Sequence, residues 1–427
     1  MKKEKIDGWY KSGRNYLHFD EKVSFEKASR IVKNPRKVAS WNFFPFLQTT
    51  VKTSKITRND EGEIVPKNKS RPISYAAHTD SHIYSYYATL LQPIYEKFIE
   101  KHGLGTNITG FRKLDGECNI DFAHRAFNAI RSMTPCIALS FDVKSFFDEI
   151  DHSILKQAWC TILEKTLLPE DHFAIFKSLT TYSYVDRDDA FNAFGITKSS
   201  KKNGIRRICN PLEFRSILRP AGLIKRNKNS YGIPQGSPIS GLLSNIYLFE
   251  FDKAISYFAS DTKSHYYRYC DDIIIICNEE HEELFKNLVS DELKKLNLRT
   301  NEKNVIRKFF MGCDGPECDK PIQYLGFVFD GKRAVIRSAS HSRFLKRMRK
   351  AVSLAKQTKR KRDKIRTSKG LETTSLHKKK LYTKYSYLGN RNYISYAHRA
   401  AKIMDEDAIK KQVKPLWKRL RQEIESD

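Results

Sequence analysis

Residues 265–277 read His-Tyr-Tyr-Arg-Tyr-Cys-Asp-Asp-Ile-Ile-Ile-Ile-Cys. Tyr266 to Cys270 and Ile273 to Ile276 are short apolar segments of strand type, and Asp271-Asp272 stand between them. The stretch predicts a hairpin with two acids at its tip. A tight hairpin prefers Gly or Asn in its turn, and Tyr-Cys-Asp-Asp-Ile offers neither, so an ordinary turn explains the acids poorly. A second run, Cys136-Ile137-Ala138-Leu139-Ser140-Phe141-Asp142-Val143, reads as a buried strand that ends in a charge. Burying an unpaired carboxylate costs on the order of several kcal/mol. Asp142, Asp271 and Asp272 are therefore expected to be held there for chemistry. Hard carboxylate oxygens suit Mg²⁺, bound by one or two carboxylates plus substrate phosphates. Two such ions about 4 Å apart can activate a 3′-hydroxyl and stabilise a leaving pyrophosphate.

Outward from these strands, apolar residues at helical spacing (Ile83, Tyr86, Tyr87, Leu90, Leu91, Ile94, Phe98) predict a helix over 80–102. Further helices are expected at 120–131, 151–180, 241–259 and 280–297, strands at 304–310 and 322–337, and a basic helical region from 341 onward. The Lys/Arg-rich segment 356–369 is expected to be a loop. The chain has 427 residues, enough for two or three domains. Its 40% hydrophobic and 12% aromatic content excludes a mostly disordered protein. No apolar run approaches a membrane span. Met1-Lys2-Lys3-Glu4-Lys5 leads into no apolar segment, so secretion is not expected. The eight cysteines form no CxxC pair, and a cytoplasmic protein without disulfides is expected. Cys313 and Cys318 have no matching His/Cys pair for zinc.

The formal net charge is +29, which points to a polyanionic partner, nucleic acid first. Residues 341–427 hold 26 Lys/Arg against 8 Asp/Glu, more than half of the excess. Residues 198–228 hold ten Lys/Arg against Glu213 alone. Both runs are interleaved with apolar or aromatic residues, a pattern suited to phosphate contact plus stacking. Arg206, Arg207, Lys225, Arg226, Arg343, Lys346, Arg347, Tyr385 and Arg391 are the candidates for nucleic-acid contact in these regions.

Six segments together carry a resemblance. Tyr269-Cys270-Asp271-Asp272 resembles the YxDD box of reverse transcriptases. Phe141 to Ile150 resembles the first palm motif, with an aromatic five positions after the aspartate. Gly232-Ile233-Pro234-Gln235-Gly236-Ser237-Pro238-Ile239-Ser240, followed by Leu243 and Asn245, resembles the PQGSPxS box. Gly110-Phe111-Arg112, Leu296-Asn297-Leu298 with Asn301 and Lys303, and Tyr324-Leu325-Gly326-Phe327 resemble the flanking motifs. Their order over residues 67–330 makes the resemblance specific for fingers and palm; the thumb resembles the family only in composition.

The resemblance implies an α+β right-hand polymerase, with an antiparallel palm sheet, helices and a helical basic thumb. The expected division is an N-terminal extension (1–40), fingers and palm (41–335, with a basic insertion near 198–228) and thumb (341–427). Asp142, Asp271 and Asp272 would be catalytic and hold two Mg²⁺ ions, with the Val143 carbonyl helping. Phe147 would be the steric gate against a ribose 2′-OH, with adjacent Phe146 as the other register. Gln235 and Gly236 would line the nucleotide and template side, the glycine letting backbone approach closely. Lys67, Lys69 and Arg71 would contact the triphosphate, and Arg112 nucleic acid. Lys303 is either a general acid toward pyrophosphate or a surface lysine. Asp148, Glu149 and Asp151 read as charges at a helix start.

Ser240-Gly241 stands where many relatives have Ser-Pro. No RNase H-like carboxylate set, HNH pattern or protease motif is visible, and the Val-Thr-Gly thumb signal of retron enzymes is missing. The length, the YCDD box and the segment Lys384 to Tyr393 resemble bacterial "unknown group" enzymes that defend against phage, most of all the type 2 defence-associated reverse transcriptase. That resemblance implies a partner noncoding RNA, copied with dNTPs into concatenated cDNA. The alternatives are a group II intron- or retron-like enzyme without a defence role, an RNA-dependent RNA polymerase, and a non-catalytic maturase-like RNA-binding module. The oligomeric state is not legible.

Overall fold

Strand pairing places the three acids. In a computed structural model, which describes residues 6–58, 63–197, 204–301 and 304–426, the named strands are β1 (Phe46–Arg58), β2 (Ile64–Tyr75), β3 (Cys136–Asp142), β4 (Ser183–Asp186), β5 (Lys225–Arg226), β6 (His265–Tyr269), β7 (Asp272–Cys277), β8 (Val305–Gly312), β9 (Gly315–Cys318), β10 (Ile322–Tyr324), β11 (Phe327–Phe329) and β12 (Ala334–Ile336). They form three sheets, in the orders β2-β1-β4-β5, β6-β7-β3-β8-β9 and β10-β11-β12. The chain divides into two compact units. One holds residues 1–112, 143–257 and 286–301; the other holds 113–142, 258–285 and 302–427. This division differs from the boundaries expected from the sequence, because the acid-bearing strands group with the C-terminal helices.

In the second unit, the five-stranded sheet is antiparallel throughout. Ile273, Ile274, Ile275 and Ile276 on β7 are fully buried. A strand covered on both faces reads as a continuous apolar run, so the tetra-isoleucine marks β7 as an interior strand, between β6 and β3. The helix Asn119–Met133 lays Phe127 on Phe329 of β11, ring to ring at 4.7 Å. The same core continues through Phe344, Met348 and Val352 to Leu416, Leu420 and Ile424. Those last six are contributed by the helices Ser338–Thr367 and Pro415–Glu425.

The expected loop at 356–369 is instead the second half of a thirty-residue helix, Ser338–Thr367. No Gly or Pro interrupts it, and Lys, Arg and Gln are good helix formers. Asp363 anchors the end: its carboxylate accepts bonds from Lys359 Nζ at 2.7 Å and from Thr374 N and Oγ1 at 2.9 and 2.7 Å. The single helices expected over 151–180 and 241–259 are each two, broken at 163–169 and at Leu248.

In the first unit, the helix His78–Lys101 starts on a cap supplied from the N-terminal region. Both carboxylate oxygens of Asp20 accept backbone N–H bonds, from His78 and Thr79, each at 2.8 Å. Such a cap satisfies orphan donors of the first turn. The basic insertion is not a free appendage. Ile208 and Cys209 are buried with Leu17 and Phe19, and Ile208 N donates to His18 O at 2.8 Å. Its end, β5, pairs with β4 and forms the edge of the four-stranded sheet. Residues 198–203 of the insertion lie outside the described residues. Among the described residues, no helix is long and apolar enough to cross a membrane.

Candidate active site

In the second unit, β3 and β7 are in register such that Asp142 lies directly opposite Asp272. Asp271 occupies the two-residue loop that joins β6 to β7, where Tyr269 faces Asp272. Three carboxylates therefore come from one end of two neighbouring strands. The loop is the tight turn that the residue types argued against. Cys270 takes φ +59°, a conformation that favours Gly. Strain of this kind, on the order of 1–3 kcal/mol, persists only where the surroundings hold it.

The brace is Arg268. This side chain is fully buried, and its Nη1 donates to the Cys270 carbonyl at 3.1 Å. Arg268 directly precedes the Tyr269-Cys270-Asp271-Asp272 motif and has no role assigned from the sequence. The available signal was its parity with Tyr266: alternate strand positions face the same way, so a strand packed through Tyr266 must also bury Arg268.

The acids are less enclosed than their strands. Asp142 and Asp272 reach solvent, and Asp271 is half-buried. The apolar runs end one residue before the acids, so the burial inferred for the strands does not extend to the carboxylates. Even so, Asp272 is pushed up to about 6, first by partial loss of water and then by the charges of Asp271 and Asp142, while Arg337 pulls it back. Mutual repulsion of this kind is relieved by a cation. Among the described residues, no three His, Cys, Asp or Glu side chains close into a preformed metal cage. The open carboxylate set instead fits ions that take their remaining ligands from substrate phosphates.

In the first unit, backbone bonds lace together three segments that are distant in sequence. Ile233 N donates to Phe147 O at 2.9 Å, Gly232 N to Ile150 O at 2.8 Å, and Ser74 N of β2 to Gln235 O at 2.8 Å. This brings Phe147, Gln235, Gly236 and β2 into one wall. Phe146 is buried, whereas Phe147 is half-buried with its ring edge-on to Phe111 at 6.4 Å. The structure thus separates the two registers: Phe146 is a core side chain and Phe147 faces outward. Lys69 and Arg71 lie two apart on β2 and are exposed; Lys67 belongs to the same strand, opposite Lys55. The Arg71 charge acts on Asp148, whose carboxyl is raised by partial loss of water and by Glu149. Asp151 caps the helix His152–Ile162 as expected. Val143 is buried and bridges Thr300. Lys303 lies outside the described residues.

One reading needs correction, and one glycine has a further reason. Arg112 does not present itself to nucleic acid. Its side chain is 3% exposed, pairs with Glu96 at 2.5 Å and donates to the Gly105 and Ile108 carbonyls. Its guanidinium is committed to holding the turn after the helix His78–Lys101. Gly236 has an internal reason for being glycine. It adopts φ +116°, and a Cβ there would lie 2.5 Å from Ser74 O. The close approach that requires it is that of β2. Gly241 is likewise set by packing, since a Cβ would meet the Phe111 ring at 2.7 Å. Asn245 Nδ2 donates to Gly110 O at 2.7 Å, which joins the two motifs.

Of the basic candidates, Arg206, Lys225 and Arg226 are exposed, and Arg207 pairs loosely with Glu21 at 3.8 Å. Arg343, Lys346, Arg347 and Arg391 are exposed, and Tyr385 is half-buried.

Residues 58–329 match the family model described as reverse transcriptase (RNA-dependent DNA polymerase). Comparison with curated proteins gives no match. Among solved structures, apo telomerase from Candida tropicalis, truncated from its C-terminal domain, is 15% identical with a TM-score of 0.41, over 72% of this chain and 58% of that one. Telomerase from Candida albicans, in complex with a fragment of telomeric RNA, is 12% identical with a TM-score of 0.42, over 96% and 64%. The chain thus spans less than two thirds of either telomerase chain. The family match covers well over half of this chain and includes both acid-bearing strands, and the chain belongs to the reverse transcriptase family of RNA-dependent DNA polymerases.

Proposed function

We propose that this protein copies a partner noncoding RNA into DNA, as repeated, concatenated cDNA in antiphage defence. The observation that carries the polymerase reading is the register of β3 and β7, which sets Asp142 against Asp272 beside Asp271. Divalent ions, Mg²⁺ by ligand chemistry, would be held by Asp142, Asp271 and Asp272 with the Val143 carbonyl, and would supply 3′-hydroxyl activation and neutralise charge on the phosphates.

The chain's own residues do the rest. Arg71, with Lys67 and Lys69 on the same strand, meets the triphosphate of the incoming dNTP. Phe147 acts as the steric gate that excludes a ribose 2′-OH and so selects deoxynucleotides. Gln235 is pinned through its carbonyl to Ser74 and lines the nucleotide side. Arg268 holds the hairpin loop that presents Asp271. The defence role and the noncoding RNA rest on the resemblance of the YCDD box and the 384–393 segment. The +29 charge supports a resident polyanion.

Primer extension on an RNA template, with dNTPs against rNTPs, tests the activity. Sequencing the nucleic acid that copurifies with the protein tests the partner. Absence of dNTP incorporation by the wild-type chain overturns the polymerase reading. Copurification of only random cellular RNA overturns the dedicated partner.

A further inference from the structure

A cavity of about 640 Å³ opens among the C-terminal helices of the second unit. That volume is in the range of small-ligand sites. Its lining brings Arg343 and Arg347 from the helix Ser338–Thr367 together with Lys384 and Arg391, and includes no Asp or Glu. Among the described residues, none of these four cations forms an ion pair with a carboxylate. Four positive side chains around one hollow repel each other unless an anion enters. The remaining lining combines rings and hydrogen-bonding groups: Phe344, Tyr385, Tyr393, Ser340, Thr383, Asn390 and Asn392. Tyr393 stacks on Phe344 at 4.7 Å, and Tyr385 meets the same ring edge-on at 5.7 Å. The Tyr393 hydroxyl is shielded from solvent and has no partner.

The wall that carries Arg391 is firmly built. Asn392 Nδ2 donates to the carbonyls of Thr383, Ser386 and Gly389 at 3.0, 2.8 and 3.0 Å. Its Oδ1 caps the helix Tyr393–Ile403 through Ser395 N. Gly389 lies so close to Thr383 that any Cβ would strike the carbonyl there. Arg391 itself takes φ +55°. An arginine in that conformation costs on the order of 1–2 kcal/mol, which Gly or Asn would largely avoid. Arg391 stands there despite the cost.

We propose that this cavity binds one unpaired nucleotide of an RNA strand. Its flanking phosphate lies among Arg343, Arg347, Lys384 and Arg391, and its base lies against the tyrosines. A duplex cannot enter a hollow of this size, whereas a splayed base fills one and stacks on aromatic rings. The choice of RNA rests on the proposed function above; the cavity itself does not. Two variants and one mapping experiment test it, using the full chain. Arg347→Gln with Arg391→Gln alters two exposed side chains. It should weaken binding of a fluorescein-labelled single-stranded RNA 12-mer at least tenfold, roughly tenfold per lost phosphate contact being the upper expectation. Binding of the same sequence as duplex RNA should fall no more than twofold. Tyr385→Leu should weaken single-stranded binding about fivefold or more. Photo-crosslinks from 4-thiouridine RNA to the wild-type chain should map to peptides holding Tyr385, Tyr393 or 390–392. Equal losses on single strand and duplex would reduce the cavity to part of a general basic surface and overturn the proposal. Unchanged single-stranded affinity, or crosslinks confined to other peptides, would overturn it as well. Preference for a DNA 12-mer of the same sequence would replace RNA as the occupant. Primer extension by the wild-type chain is read separately, so failure of the polymerase reading remains distinguishable from failure of the pocket.

Discussion

The acid-bearing strand ends and the cation-lined cavity both gather like charges, and they do so by opposite routes. The acids are brought together by register. Asp271 and Asp272 are neighbours in sequence, and Asp142 is the direct cross-strand partner of Asp272. The cations come from a helix turn (Arg343, Arg347), the end of a second helix (Lys384) and a loop (Arg391). Strand pairing is strict, because a slip of one residue turns every side chain to the other face. An acid motif built on strands therefore survives as a readable string. A cavity built from helices and a loop leaves only a basic, tyrosine-rich composition in the sequence.

The sharpest test of this contrast is to neutralise one side of each cluster. Asp272→Asn should lower DNA synthesis on the order of a thousandfold, with RNA affinity unchanged, as a primer-extension assay and a binding titration would show. The same substitution should raise the thermal midpoint of metal-free protein. The sign follows from the raised carboxyl: stability from this group is full below the ordinary carboxylate range and is lost as pH rises through about 6. The advantage of the variant in EDTA should therefore grow between pH 4 and pH 7. A variant less stable than wild type at pH 7 would mean that the three acids do not strain the fold.

Arg268→Lys comes next. Lysine cannot reproduce the guanidinium bond to the Cys270 carbonyl within a packed strand. Synthesis should fall roughly tenfold to a hundredfold, as for other groups that orient metal ligands, with nucleic-acid affinity held. Matching falls in affinity and turnover would show that Arg268 merely supports the fold.

Phe147→Ala should raise rNTP use relative to dNTP by about tenfold or more, a change measurable from competing nucleotides in single-turnover extension. Phe146→Ala should leave that ratio alone and instead lower stability, by about 3–5 kcal/mol for a buried phenylalanine. The reverse pattern would exchange their roles.

The smallest effect is expected at the insertion. Neutralising Arg206, Arg207, Lys225 and Arg226 should weaken binding of the copurifying RNA several-fold and flatten its salt dependence, because exposed cations act through counterion release. Extension of a generic annealed primer–template should fall less. Equal loss on both substrates would assign these residues to ordinary duplex grip.

Much of the fold was legible because its signals are local. The tetra-isoleucine strand, the YCDD turn and the helix at His78–Lys101 each follow from a run or a period. The hairpin was also legible, although its turn chemistry argued against it. Cys270 takes positive φ with its carbonyl bonded by the buried Arg268 two residues away, a contact that the preferences of turn residues do not count. The loop expected at 356–369 failed for a comparable reason. The segment is low in complexity and rich in Lys and Arg, yet an uninterrupted stretch of good helix formers, anchored on Phe344, Met348 and Asp363, makes it helical. Arg112 misled because a cation in a motif looks the same whether it faces phosphate or Glu96.

The sequence by itself determined the chemistry that depends on neighbouring positions: adjacent acids, an apolar strand leading to each, and an excess of positive charge. Only the tertiary structure decided which cations face an acid. Arg112 spends its donors on Glu96 and two carbonyls, whereas Arg343, Arg347, Lys384 and Arg391 converge on a hollow with no acid in its wall. The physical reason is one of range. Strand register and turn strain act over a few residues and leave a mark in the order of the letters. Charge pairing acts through space, between groups whose separation along the chain says nothing of their distance in the fold.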